Sequence, residues 1–446
     1  MTTKLWQKNT PVNERIEIFT TGNDRELDVR MAYHDVLGSL AHIKMLYEVG
    51  LLQSDEFKLL HGGLKKILHT VEAGDFRIET HVEDVHSQVE LQLTRDLGEV
   101  GKRIHAARSR NDQVLVDLKL FFRAEIEDLV QLISELFETL TAKSEQYKNV
   151  LLPGYTHWQI AMPSSFGLWF GAYAETLCDD VQLLQAVYKI VNQNPLGSAA
   201  GYGSGLPINR ARTTELLGFA DLNYNVVHAQ IGRGKTEHFL AFTLAAFGHT
   251  LAKFALDACI YLNQNFDFIG LPAELTTGSS IMPHKKNPDV FELIRAKCNR
   301  LQNLPAQVSS VTTNMPSGYH RDYQLLKEII FPALTDIKEC IEILSFTLKA
   351  VTVRENILAD EKYKYLFTVE AVNALVLQGV PFRDAYKKIG EQVENETFIP
   401  PVGINHTHEG SIGNLCTAAI KAKMEHIVTG FSFNAVHVAI ENLKNK

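Results

Sequence analysis

Two adjacent hydroxyls, Ser279 and Ser280, follow Gly278 in the string TTGSSIMPHKKNPDVFELIRAK, and Pro283, Lys285, Lys286, Asn287 and Pro288 come directly after them. Glu292 and Arg295 appear where the pattern turns helical. Glycine opens positive φ and proline fixes φ, so this stretch reads as an ordered loop leading into a helix. Hydroxyls and a lysine pair on such a loop suit capture of a carboxylate, with a solvated basic turn as the plain alternative. A second polar stretch, KRIHAARSRNDQ (102–113), crowds Arg103, Arg108 and Arg110 around Ser109, Asn111, Asp112 and Gln113. It reads either as an anion site built on arginine forks or as a basic loop capping the next helix. Thr156 and His157 lie between Pro153 and Pro163 in what reads as an irregular loop. A lone histidine is usually structural, but imidazole also suits proton transfer near neutrality. Tyr319, Gln324 and Lys327 supply a phenol, an amide and an ammonium, groups fit for a zwitterionic amino acid.

Long helices must position these loops. Leu118, Phe122, Ile126, Leu129, Ile133, Leu136 and Leu140 step by four or three, which predicts one helix over 112–147. Phe166, Phe170, Tyr173, Leu177, Val181, Leu184, Val187 and Val191 predict a second, and the run from Leu240 to Tyr261 a third. Such seams pack helices nearly parallel, and apolar residues beyond one stripe imply a second buried face against other subunits. Residues 1–110 read as shorter helices, with Ser54 as an N-cap and His86 and Glu90 one turn apart on what reads as a surface helix. Beyond about residue 360 the helices shorten again, and His406 and His408 read as a solvated turn rather than a metal site. The expectation is an all-α chain of three parts: 1–110, a central bundle over 111–360 carrying the serine loop, and 361–446.

Composition narrows the function classes. With 446 residues, two or three domains are expected. Net charge −8 argues against a dedicated nucleic-acid binder. Five cysteines with no CxxC signal neither a disulfide framework nor a zinc site. The N-terminal MTTKLWQKNTPVNER lacks the apolar core of a signal peptide, and no run reads as long enough to span a membrane. A cytoplasmic protein is expected, which makes the sequons at Asn395 and Asn405 chance matches. NPLGSAAGYGSGLPINR (194–210) lacks P-loop and dinucleotide spacing and reads as a turn-rich connection.

The string GSSIMPHKKNP resembles the signature loop of the fumarase/aspartase superfamily. RSRNDQ (108–113) and GYTHWQ (154–159) resemble segments of its argininosuccinate lyase branch. This resemblance implies the three-domain all-α fold of that superfamily, with a long-helix bundle completed in a homotetramer whose active sites are shared between subunits. It implies β-elimination with no metal or organic cofactor. Ser279 would be the base that takes a Cβ proton, while Lys285 and Asn287 would bind the carboxylate that becomes dianionic. His157, oriented by Glu292, would assist proton transfer at the leaving nitrogen. Asn111, Thr156, Tyr319, Gln324, Lys327, Ser109, Arg110 and Ser280 would contact substrate, a small molecule, with neither nucleic acid nor membrane as partner.

Three departures from the branch pattern are present. His284 stands where glutamine is usual, FTTGND (19–24) replaces an FNAS-like segment, and Glu237–His238–Phe239 replaces Arg-Asp-Phe. They open the alternative of a modified, N-acylated substrate. Adenylosuccinate lyase or aspartase chemistry is disfavoured by RSRNDQ and GYTH. A non-catalytic lens-type relative is disfavoured by the intact Ser279, Lys285, Asn287, His157 and Glu292, and a bare helical scaffold would not explain the polar loops.

Overall fold

The computed structural model describes residues 13–401, 403–404 and 406–445. Most of the N-terminal stretch and the Asn405 sequon therefore lie outside the described residues. Five helices come first: α1 (Glu14–Thr21), α2 (Asp24–Asp28), α3 (Ala32–Glu48), α4 (Ser54–Glu72) and α5 (Val85–Leu97). The central elements are α6 (Arg110–Gln146), β1 (Leu151–Thr156), β2 (Gln159–Ser165), α7 (Phe166–Val191), α8 (Arg210–Leu216), α9 (Val226–Leu262), α10 (Asp289–Leu301), α11 (Leu304–Thr312) and α12 (Leu325–Ala350). Four short helices close the chain: α13 (Thr368–Leu377), α14 (Phe382–Glu394), α15 (Thr417–Thr429) and α16 (Phe433–Asn445).

The bundle follows the apolar periodicity. Helix α6 is 37 residues of uninterrupted helix, about 55 Å long. Ser109 caps it: its Oγ accepts from Asn111 N, and Asp112 accepts from Ser109 N at 2.8 Å, a reciprocal capping box. After the β1–β2 turn, α7 runs back along α6, with Ser144 donating to Gly167 O at one end and Lys119 to Ile190 O at the other. Helix α9 is antiparallel to α7, since Trp169 stacks on Phe254 with ring centroids 5.0 Å apart and Thr250 donates to Asp180. Helix α12 runs parallel to α6: Phe121 meets Phe331 at 4.5 Å, and Lys143 donates to Val351 O. One large apolar cluster joins these helices, a second unites α3, α4, α5 and part of α6, and a small third (Val372, Ala385, Ile389, Phe398) lies around α13 and α14.

Several expectations need correction. Residues 151–165 form an antiparallel hairpin, not an irregular loop, with a register shift between Pro153 and Tyr155. The cap before α4 is Gln53, whose N–H is held by Glu56 at 2.9 Å, and Ser54 is the first helical residue. Helix α9 carries a window of mean hydropathy 1.5, long and apolar enough to cross a membrane, against the expectation that no run is. Of that window 61% is buried inside the fold, which accounts for its apolarity by core packing. Helix α5 is not a surface helix at His86 and Glu90, for both are buried. His406 is no solvated turn either: its ring bridges Ser411 Oγ (2.7 Å) and Glu370 (3.1 Å).

Candidate active site

The serine loop is closed at its base by backbone pairing. Thr277 and Asn287 form an antiparallel bridge, with Asn287 N donating to Thr277 O at 2.8 Å. Gly278 is not among the positive-φ glycines, so the bridge rather than a glycine turn sets the loop's entrance. Inside the loop, Ser279 Oγ accepts from Met282 N (3.1 Å) and faces Ile281 N (3.4 Å). Two converging amides favour negative charge on that oxygen. Asn287 Nδ2 reaches Gly278 O at 3.3 Å, and Lys285 and Ser280 point into the open, both exposed. Glu292, on the first turn of α10, is exposed too.

The hairpin presents Thr156 and His157 on its tip. His157 (φ +52°) and Trp158 (φ +62°) are the two central residues of a turn with Thr156 paired to Gln159. Two non-glycine residues at positive φ form a primed turn, which matches strand twist at a conformational cost. Both are exposed, Trp158 to 77%. A cleft of about 480 Å³ beside the tip is walled by Tyr155, Trp158, Phe266, Tyr363 and Tyr365. Among the described residues no hydrogen bond or ion pair joins His157 to Glu292 within the chain.

At the opposite end of α6 a third group assembles. Asn111 is half-buried in the first turn, and Asp112 below it accepts from Gly197 N and Ala199 N at 2.9 Å, tying the 194–210 segment to this corner. Burial raises the Asp112 carboxyl above the usual range despite those donors. Arg110 is engaged by Glu83 (2.6 Å), Asp84 (3.2 Å) and Ser87 Oγ (2.7 Å). Gln324 donates to Thr20 O and Thr21 O, both at 3.1 Å, and Lys327 is buried between Asp24 (2.6 Å) and Asp28 (2.5 Å). Three residues read from the sequence as substrate contacts, Arg110, Gln324 and Lys327, thus carry internal partners. Tyr319 remains partly open, its ring 6.2 Å from Tyr323. Burial pushes Asp24 up to about 6, with Lys327 opposing. Burial works against the Lys327 ammonium, but Asp28 and Asp24 outweigh it and hold its pKa above the usual value.

Sequence reasoning overlooked two features of this corner. Asp24 and Asp28 have no motif around them, and only the fold brings them to Lys327 from about 300 positions away. Beneath Arg110, His86 Nδ1 lies 2.7 Å from Asp35 and 3.3 Å from Asp117, all three buried. The His86–Glu90 spacing hinted at a helical pair, yet the true partners come from α3 and α6. Burial opposes ionisation of Asp35, but His86, Arg108 and Gln113 together outweigh it and hold that carboxyl low. Burial, with Asp35 facing it, drives Asp117 well above the usual range.

The departures also find places. His238 pairs with Ser309 Oγ at 3.1 Å and stacks on Phe242, while Glu237 is buried against Arg233. The 19–24 segment supplies Thr20 and Thr21 carbonyls to Gln324 and the Asp24 carboxylate to Lys327.

Long antiparallel helices with polar loops at both ends of the bundle define a fumarase-like lyase architecture. A class II fumarase from Schistosoma mansoni has the same fold, with TM-score 0.72 at 15% identity, covering 93% of this chain and 94% of that one. EDDS lyase in complex with formate is similar at TM-score 0.76 and 20% identity, covering 98% and 94% of the two chains. At such identities the likeness speaks for the fold alone. Residues 7–302 match the family described as lyase. The argininosuccinate lyase of Parabacteroides distasonis is 57% identical over 443 residues, 99% of both chains. That of Bacteroides thetaiotaomicron is 58% identical over 433 residues, 97% of both chains. The chain belongs to the lyase family and, within it, to the argininosuccinate lyases.

Proposed function

We propose that this protein releases fumarate and L-arginine from argininosuccinate by reversible β-elimination, a step of arginine biosynthesis. The identity to argininosuccinate lyases along 99% of the chain carries the reading. Ser279 takes the Cβ proton as the base. A serine hydroxyl is a poor base unless its alkoxide is stabilised, and the Met282 and Ile281 amides beside Oγ supply dipoles for that purpose. Lys285 and Asn287 hold the carboxylate whose charge doubles as the carbanion delocalises into it. The adjacent carboxylate is the electron sink, so the step requires no metal or organic cofactor. His157, oriented by Glu292 from another copy, delivers a proton to the departing guanidino nitrogen. Asn111, Thr156, Ser280, Tyr319 and Gln324 contact substrate directly. Ser109, Arg110 and Lys327 act at the same corner, Ser109 through its cap and the other two from within their ion pairs.

Distance within one chain supports an assembly. Asn111 and His157 are borne by opposite ends of α6, so one substrate reaches both only where two copies meet. A cytoplasmic homotetramer with shared sites is our reading, and a monomer at high dilution should be inactive. The boundaries 1–110, 111–360 and 361–446 are our division into domains. Each part holds an apolar cluster centred in it, but the clusters cross the boundaries: the largest takes in Met31, Met424, Ile427 and Phe431, and the second Val116, Leu120, Leu196, Leu217, Phe219 and Leu443.

The test is fumarate release followed by ultraviolet absorbance, with argininosuccinate, adenylosuccinate and an N-acylated argininosuccinate in parallel. Turnover on argininosuccinate alone is expected. Turnover only on another substrate would keep the elimination and move the specificity, and silence on all three would overturn the assignment.

A further inference from the structure

Helix α9 is broken near its start. Arg233 has ψ +138° and Gly234 φ +78°, so the helix stops and restarts within two residues. Glu237 secures the restart: its Oε2 accepts from Gly234 N at 2.7 Å, as an N3 glutamate does in a capping box. Its Oε1 lies 2.9 Å from Arg233 Nε, and both side chains are about 3% exposed. The same guanidinium crosses to the turn before α12, donating Nη2 to Tyr323 O at 2.9 Å. Gly234 permits the approach, since a Cβ there would lie 2.7 Å from Thr312 Cγ2 and 3.1 Å from the Tyr323 ring.

The turn reached this way, Arg321–Gln324, carries Gln324, and the Tyr319 ring packs beside Tyr323. Stability alone is a poor account of the arrangement. A buried ion pair is often no more stabilising than apolar residues of the same volume, and an interrupted helix forfeits hydrogen bonds. An ion pair with one carboxylate does, however, hold the planar guanidinium where its Nη2 reaches one carbonyl from one direction.

Building on the elimination reading above, we propose that Arg233 and Glu237 are positioning residues that set the Tyr319–Gln324 turn for the amine half of the substrate. The reacting loop at Ser279 lies toward the other end of the same bundle. Damage to the pair therefore weakens binding of the arginine portion and leaves the proton-abstraction step intact.

The experiment uses full-length Arg233→Lys and Glu237→Gln. The first keeps a charge opposite Glu237 but loses the fork, and the second keeps an acceptor for Gly234 N. Fumarate-release kinetics on argininosuccinate and calorimetric binding of L-arginine are measured beside oligomer size and Tm. Both KM and the arginine Kd should rise at least about fivefold with kcat within about twofold, the pattern of lost uniform binding. Glu237→Asp should recover part of the loss. Unchanged KM and Kd would overturn the proposal, as would kcat falling with Tm at constant KM, or failure of both conservative variants to assemble. A wild type silent on argininosuccinate, adenylosuccinate and the N-acylated substrate would instead sink the elimination reading. An active wild type with indifferent variants sinks only the positioning role.

Discussion

Asn111 in the first turn of α6 and His157 on the hairpin beyond its last turn are separated along one uninterrupted helix of 37 residues, about 55 Å. A shared site must then take these two side chains from different copies. Mixing Asn111→Ala with His157→Asn protein under dissociating and reassembling conditions should restore activity that neither has alone. Random mixing gives about a quarter of sites with both native residues. No recovery in a mixed oligomer would show that the two do not serve one site.

If Ser279 is the base proposed above, Ser279→Ala should lower turnover by about a thousandfold or more while leaving the oligomer intact, because only one hydroxyl is lost. Size-exclusion chromatography and the fumarate assay on one preparation check both halves of that statement.

Lys327→Met should cost about 3–5 kcal/mol in denaturant unfolding, because it strands Asp24 and Asp28 beside each other without their cation. A loss below about 1 kcal/mol would mean that the two carboxylates are readily rehydrated.

Acid should weaken the fold through buried neutral histidines. Burial, with Arg123 nearby, holds His34 down to about 3, and burial with Arg108 does the same to His42. Both lie below the ordinary 6.5, so their contribution is complete above pH 6.5 and is lost as pH falls from there toward 3. Asp24 and Asp180, both pushed up to about 6 by burial, act in the opposite sense and add stability as pH falls through 6 toward 3.8. The clean measurement is therefore a comparison: His42→Gln, which keeps a donor for Ala106 O, should be less acid-sensitive than wild type. The expected difference in slope is about 1.4 kcal/mol per pH unit below 6.5. Parallel slopes would refute it.

Features set by neighbours three or four positions apart were legible in the residue string. The course of α6 and α7 is written in their apolar stripes, and the Ser109–Asp112 box in four consecutive residues. The Gly278–Asn287 loop could be recognised because its residue types are needed together in one short segment. Relationships across hundreds of positions were hidden: Lys327 with Asp28, 299 residues apart, and His86 with Asp35, 51 apart, leave no local period to read. The hairpin tip was obscured because Pro153 and Pro163 suggest irregular chain, whereas cross-strand pairing tolerates them at an edge. The break at Arg233–Gly234 escaped the pattern of α9 because the apolar stripe resumes after it. The sequence by itself thus determined the chemistry and the helices that bear it, since both depend on residue type and short spacing. Only the tertiary structure decided which charges are already paired and which loops share an end of the bundle, because burial and long-range contact make those choices.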